Sequence, residues 1–458
     1  MTISTHSRLA ADARAICLLA LPLVGTNLSI IGMQFADTVM AGQLGARDLA
    51  ALSVGVGFYH LFLLGGLGTL MAVSPSVAHA FGANDTRGVT RYCRQAWWLA
   101  IALAVLLVTG LMQVDHVLPA LGISPEIVPT AVGYVHAMAW GMPALLGFLS
   151  LRYTTEGLGR TKPIMYFGFL GLTANVIGNW IFMYGKFGMP QLGAIGCGVA
   201  TAISEWLMFF ALLTYMRRQR AYRAFDFFAR IDPPDWRVLR DLARIGVPIA
   251  GSVLAEGGLF VCAALMIGGM GATLTAGHQI ALNYASFMFM VPLAISSATT
   301  IHVGHTLGRG DPERGRFAGL LGIGMCATVM VLSAVGIVLS SDVIAGLYTN
   351  DPAVREIAAG LLLLAAIFQL SDGVQVGAAG ALRGFKDTAI PMTMCIFSYW
   401  IVGFPLAYIF GVRQGGGPPY VWFGFIAGLT VSAVLLVSRY LYVSRRSVPA
   451  SAVGLGVP

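Results

Sequence analysis

Charge is scarce in this chain of 458 residues: Asp, Glu, Lys and Arg make up 10% of it, against 57% for hydrophobic residues. A water-soluble domain carries about 25% charge, so an ordinary solvated surface is excluded and lipid is the expected main solvent. The six cysteines (17, 93, 197, 262, 326 and 395) are scattered without a CxxC pair. Neither a disulfide framework nor a zinc site is expected of them. No HExxH, no GxxxxGK[ST] and no GxSxG occurs. Metalloprotease, ATPase and serine hydrolase chemistry are therefore unsupported, and no enzyme activity and no cofactor are expected. The first apolar run begins near Ala15 and is too long for a signal-peptide core, so it reads as a retained span.

What the chain has instead is apolar length. Runs long enough to cross about 30 Å of hydrocarbon as helices fall at 15–41, 49–79, 95–114, 127–150, 163–185, 193–216, 245–270, 276–304, 317–340, 353–382, 389–411 and 421–443. Twelve spans and an all-α membrane protein follow, because a lipid-exposed backbone must satisfy its own hydrogen bonds. The alternation of an outer-membrane barrel is missing. Glycine, at 57 residues, suits helices that approach closely. The formal charge of +8 does not indicate nucleic acid. Of the 28 basic residues, only Arg47, Lys186, Arg355 and Arg413 fall on one side of the twelve-span topology. The rest fall on the other, which places both termini in the cytoplasm.

The one long polar stretch, Arg217 to Arg244, holds eight arginines and the helix-breaking Asp232-Pro233-Pro234-Asp235. It separates two similar halves. A shift of 226 residues superimposes Pro22 on Pro248, Gly25 on Gly251, Gly45-Ala46 on Gly271-Ala272, His79 on His305, Gly82 on Gly308 and Asp85 on Asp311. GLGRTKP (157–163) has its counterpart in RGFKDTAIP (383–391) after a small insertion. The expected organisation is an amino-terminal six-helix lobe (1–216), a cytoplasmic linker (217–244) and a carboxy-terminal six-helix lobe (245–458). Six spans per half give two parallel repeats. Matched prolines in the first helix of each half point to a transporter.

An ionisable group inside a span costs roughly 2.5–3.5 kcal/mol on insertion scales and is a functional candidate by default. Glu256 lies near the middle of the seventh span, in SVLAEGGLFVCAALMIGG. Asp372 lies in the tenth, just before the GxxxG of Gly373 and Gly377, where a second backbone can approach. Two such carboxylates can share a cation or a proton. Asp37, in GMQFADTVMAG, has as companions Asn175 and Asn179, one turn apart, and Thr201. A carboxylate, amide oxygens and a hydroxyl are the hard ligands that a small cation prefers. Glu205 follows Thr201 by one turn and shares its face. The other histidines, His60, His136, His278 and His302, stand apart from one another in sequence.

PLVGTNLSIIGMQFADTVMAGQLGARDLAALSV, FGANDTRGVTRYCRQ, EGLGRTKP, YGKFGMPQLGAIGCGVATA and RGFKDTAIPM together resemble the multidrug and toxic compound extrusion (MATE) family, in its NorM-type bacterial branch. The resemblance covers essentially the whole chain. It implies a V-shaped pair of lobes, alternating access, and export of drugs and organic cations, often aromatic, in exchange for Na⁺ or H⁺. The NorM-type pair leans towards Na⁺. Carried over, the coupling residues are Asp37, Asn175, Asn179 and Thr201 in one lobe and Glu256 with Asp372 in the other. Asp351 matches a position that can contact substrate, and Glu205, an acid the family does not imply, joins it as a candidate contact. A multi-pass protein of the bacterial inner membrane, monomeric and in contact with lipid, is implied. Rival readings are a lipid-linked-precursor flippase of the same superfamily and a major-facilitator-like carrier. The first would bring basic residues into the cavity, whereas no Lys or Arg lies mid-span; the second would bring a DRxGRR-like loop where this chain has GANDTR.

Overall fold

The computed structural model describes residues 5–230 and 232–447, so both termini lie outside the described residues. Every regular element among the described residues is helical, and twelve helices are long and apolar enough to cross a membrane. In order they are Arg8–Leu44, Ala46–Gly82, Thr86–Leu111, Val128–Gly157, Lys162–Phe182, Ala194–Arg218, Trp236–Gly268, Ala272–Gly308, Pro312–Tyr348, Pro352–Gly384, Ala389–Arg413 and Pro418–Arg446. They are called the first to twelfth spans below. Most overrun the apolar cores that hydropathy picks out, because a helix continues past the hydrocarbon until a cap or a proline stops it.

The repeat holds down to local devices. Gly45 and Gly271, which precede the second and eighth spans, have φ of 128° and 125°. Only glycine takes that conformation without strain. Asp85 caps the third span by accepting from Gly88 N at 2.9 Å, and Asp311 caps the ninth by accepting from Arg314 N at 3.0 Å. The third span stops at Leu111 and a short helix restarts at Val114; in the same register the ninth span breaks at Ser340, with φ −139° and ψ 18°.

The chain forms two compact units. One unit is Pro22–Ala250; the other joins Met1–Leu21 to Gly251–Pro458. The division therefore cuts through the first and seventh spans, next to the matched prolines, while both helices run on unbroken. Packing gives the reason. Ile16 and Ala20 are buried with Ile295, Ala298 and Cys326. Asp12, 1% exposed, accepts from Arg314 Nη2 at 2.7 Å and pairs with His302 Nε2 at 3.0 Å. His302, isolated in sequence, is thus part of a buried ion cluster. Conversely, the start of the seventh span belongs with the first half. A Cβ on Gly246 would lie 2.1 Å from the Thr69 carbonyl oxygen, and one on Gly68 would lie 2.5 Å from Ala250 Cα. Without a hydrophobic driving force between helices in lipid, this backbone proximity is what binds them.

The linker is docked within the Pro22–Ala250 unit. Arg94, 8% exposed, donates to the Asp226 carbonyl at 2.6 Å, the Phe227 carbonyl at 3.2 Å and the Asp232 carboxylate at 2.7 Å. Gln95 donates to the Pro233 carbonyl at 2.9 Å, and Trp98 to the Asp232 carbonyl at 2.8 Å. Arg91 pairs with Asp235. The Pro-Pro break cannot supply its own backbone pairing, and side chains of the third span supply it.

In the other unit the core gathers around Trp422, Tyr399, Tyr440 and Phe425, all fully buried. The eleventh span contains two π-helical stretches, Phe397–Gly403 and Ala407–Arg413. They lie against the small residues of the twelfth span, where a Cβ on Gly424 would meet Ala407 N at 2.6 Å. Such wide turns recur at functional sites, and Tyr399 is on the first of them.

Candidate functional site

Two polar clusters are buried among the apolar spans, one in each unit. The first joins the first, fifth and sixth spans. Asn175 and Asn179 are completely buried one turn apart on the fifth. Asn179 Nδ2 donates to Asp37 Oδ1 at 2.6 Å and to Asn175 Oδ1 at 3.2 Å. Asn175 Nδ2 in turn donates to Thr201 Oγ1 at 2.9 Å. The four residues expected from sequence are thus brought into one chain of hydrogen bonds. Asn179 turns its Nδ2 to the Asp37 carboxyl. That leaves Asn179 Oδ1 buried and without a partner among the described residues.

Glu205 extends the same face of the sixth span. It is 4% exposed, its Oε1 lies 3.5 Å from the Tyr59 hydroxyl, and its Oε2 has no partner. Room for it comes from Gly141 on the fourth span, where a Cβ would fall 2.2 Å from Oε2. Tyr59 and Tyr134, both 3% exposed, close over this acid, and nothing in their sequence neighbourhood singles them out.

The second cluster joins the seventh, tenth and eleventh spans. Asp372, 5% exposed, is within electrostatic range of Glu256. Gly373 and Gly377 let the ninth span come close, with a Cβ on Gly373 only 3.1 Å from the Cys326 carbonyl oxygen. Gln375, one turn beyond Asp372, donates to the Tyr399 hydroxyl at 2.8 Å. Asp372 Oδ1 and Gln375 Oε1 are buried without partners. Gln375 was findable from its i, i+3 spacing to the acid; Tyr399 was not. Arg383, at the end of the tenth span, lies in electrostatic range of Glu256 and donates to Ser296 Oγ at 2.8 Å. Arg152, on the fourth span, is half-buried and paired with the buried Glu156 at 2.7 Å.

Asp351 is exposed at the start of the tenth span and accepts from Ala353 N at 2.9 Å. That bond is a helix cap, and no bond joins it to either cluster. No group of three or more His, Cys, Asp or Glu suited to a metal ion occurs among the described residues. The donors that are present suit a different guest. In both clusters the unpartnered buried atoms are oxygens, from Asn179 and Glu205 in one and from Asp372 and Gln375 in the other. An orphan acceptor costs about 1–3 kcal/mol and is relieved by a cation or a proton.

The MatE family model matches residues 22–181 and 248–409, two segments in the register of the internal repeat. The chain is 43% identical over 437 residues to a probable multidrug resistance protein NorM of Xanthomonas axonopodis pv. citri, covering 95% of each chain. It is 40% identical over 440 residues to the multidrug resistance protein MdtK of Yersinia pseudotuberculosis, covering 95% of this chain and 96% of that one. Among solved structures, the eukaryotic MATE transporter AtDTX14 superimposes with a TM-score of 0.86 at 17% identity, over 96% of this chain and 99% of that one. A multidrug resistance MATE family transporter in an outward-facing conformation gives 0.85 at 21% identity, over 95% and 96%. With helix order, repeat register and sequence identity in agreement, the chain belongs to the MatE family, in its bacterial NorM-type branch.

Proposed function

We propose that this protein is a secondary active multidrug efflux antiporter. It exports organic compounds, often cationic and aromatic, across the bacterial cytoplasmic membrane in exchange for Na⁺ or H⁺, by alternating access. Both termini face the cytoplasm, in keeping with the one-sided distribution of Lys and Arg. The names of the NorM and MdtK relatives support drug export. The single observation that carries the coupling is the set of orphan oxygens beside Asp37, Glu205 and Asp372.

A cation or proton arriving at these oxygens neutralises the local charge and satisfies acceptors that otherwise stay unpaired. Its binding energy then favours whichever conformation presents the completed site. A cationic cargo prefers the ion-free, negatively charged state, so ion and cargo oppose each other, and the opposition is reciprocal. Na⁺ would take Asp37 with Asn175, Asn179 and Thr201, or Glu256 with Asp372. No ATP site is needed, because the ion gradient supplies the work. Ethidium export from drug-sensitive cells tests the reading: expression should lower dye accumulation and raise resistance. Normal export by both Asp372→Asn and Glu256→Gln would overturn the coupling assignment.

A further inference from the structure

The third span carries one stripe of side chains at helical spacing that changes character partway along. Arg87, Arg91 and Arg94 come first; Trp97, Ile101, Val105 and Val108 continue the same three-and-four spacing. The arginine part lines a cavity of about 1170 Å³ beneath the docked linker. The apolar part lines a groove of about 420 Å³ shared with Pro143, Gly147, Trp206 and Phe209. Trp97 lines the groove next in the stripe after Arg94, with its ring edge-on to Phe209 of the groove and to Phe228 of the linker, at 5.7 Å and 6.3 Å between centroids.

The cavity is not electrically neutral. Its five arginines (87, 91, 94, 230 and 237) face three aspartates (226, 232 and 235). Asp232 is taken by Arg94 and Arg230, and Asp235 by Arg91. The exposed guanidinium groups of Arg87 and Arg237 have no carboxylate partner among the described residues. Trp236, 78% exposed, stands at the cavity mouth, the kind of side chain that anchors at the lipid–water boundary. From Trp97 to Val108 the groove runs about 17 Å at 1.5 Å per residue, the reach of one acyl chain.

We propose that this face binds an anionic phospholipid: the headgroup phosphate sits between Arg87 and Arg237, and one acyl chain lies in the groove from Trp97 to Val108. The positive cavity selects the anionic headgroup, because each arginine near such a surface favours it. The groove supplies what a free phosphate could not use, a dry apolar wall with an aromatic floor.

Native mass spectrometry of the full-length protein from a neutral detergent tests both halves. Phosphatidylglycerol and phosphatidylcholine of identical chains are supplied at equal mole fraction, with inorganic phosphate as a separate competitor. The expected result is retention of one phosphatidylglycerol with roughly tenfold preference over phosphatidylcholine, abolished in Arg87→Gln/Arg237→Gln and kept in Arg87→Lys/Arg237→Lys. Filling the groove by Ala104→Phe should remove the retained lipid. An unchanged preference in the double glutamine variant overturns the proposal, and that variant alters only exposed side chains. So does displacement by inorganic phosphate, which would make the site one for phosphate alone, or full retention in a folded Ala104→Phe protein.

Discussion

Asn179 Nδ2 lies 2.6 Å from Asp37 Oδ1, so the acid on the first span is held by an amide of the fifth span. The amide fixes the carboxylate in place and leaves its own oxygen buried without a partner among the described residues. Asn179→Ala should weaken binding of the coupling ion by about tenfold to hundredfold, the worth of one charge-assisted hydrogen bond of about 1.5–3 kcal/mol. The half-saturating ion concentration for dye export measures it. An unchanged value would remove the Asp37 cluster from the coupling machinery.

Gly141 makes the space that Glu205 occupies. Gly141→Ala would place a methyl group 2.2 Å from Glu205 Oε2 and 2.8 Å from Ala202 Cα. Backbone stands behind the second contact and cannot yield cheaply, so destabilisation of about 1–3 kcal/mol is expected. Glu205→Gln keeps the shape and should unfold near the wild-type temperature. Thermal unfolding in detergent compares the two.

Asp12 ties the head of the first span to the second half of the chain through Arg314 and His302. Asp12→Ala strips both partners of their acceptor and should lower stability by about 1–3 kcal/mol. Arg314→Gln should cost less, because the Arg314 side chain is 42% exposed and Asp12 keeps His302. Equal melting temperatures for wild type and Asp12→Ala would show that the tie contributes nothing.

The linker clamp should respond to acid. A hydrogen bond from Arg94 holds Asp232 below its ordinary carboxylate range, and one from Arg91 does the same for Asp235. Groups depressed in the folded state contribute stability that is complete above the unfolded value, about pH 4, and lost as pH falls through the folded value. Hydrogen exchange of the peptides flanking Pro233 should therefore stay constant from pH 7 to 5, after correction for intrinsic rates, and rise only below about pH 4.

Much of this was legible in the sequence. Lipid leaves a long apolar run no option but helix, so the twelve spans follow from composition. The repeat follows from glycines and caps that need one residue type at one place, as at Gly45 and Gly271 or Asp85 and Asp311. Asp37, Asn175, Asn179 and Thr201 were recoverable because polar residues inside apolar spans are costly and stand out. The tie at Asp12 was not. Nothing local marks Asp12, whose partners His302 and Arg314 stand 290 and 302 residues away. The docking of the linker was not legible either, because its sequence shows only arginines and a helix break. Arg94, whose carbonyl and carboxylate partners all lie in that linker, belongs to the third span.

The central claim is that the paired acids Glu256 and Asp372 bind the coupling ion. Its most direct test is dye efflux from loaded proteoliposomes, driven either by a Na⁺ pulse at fixed pH or by a pH jump without Na⁺. In the wild type at least one pulse should drive efflux, and the responding pulse names the ion. In Glu256→Gln/Asp372→Asn the same pulse should produce only the leak seen in empty vesicles. A double variant that answers the pulse at the wild-type rate would contradict the account.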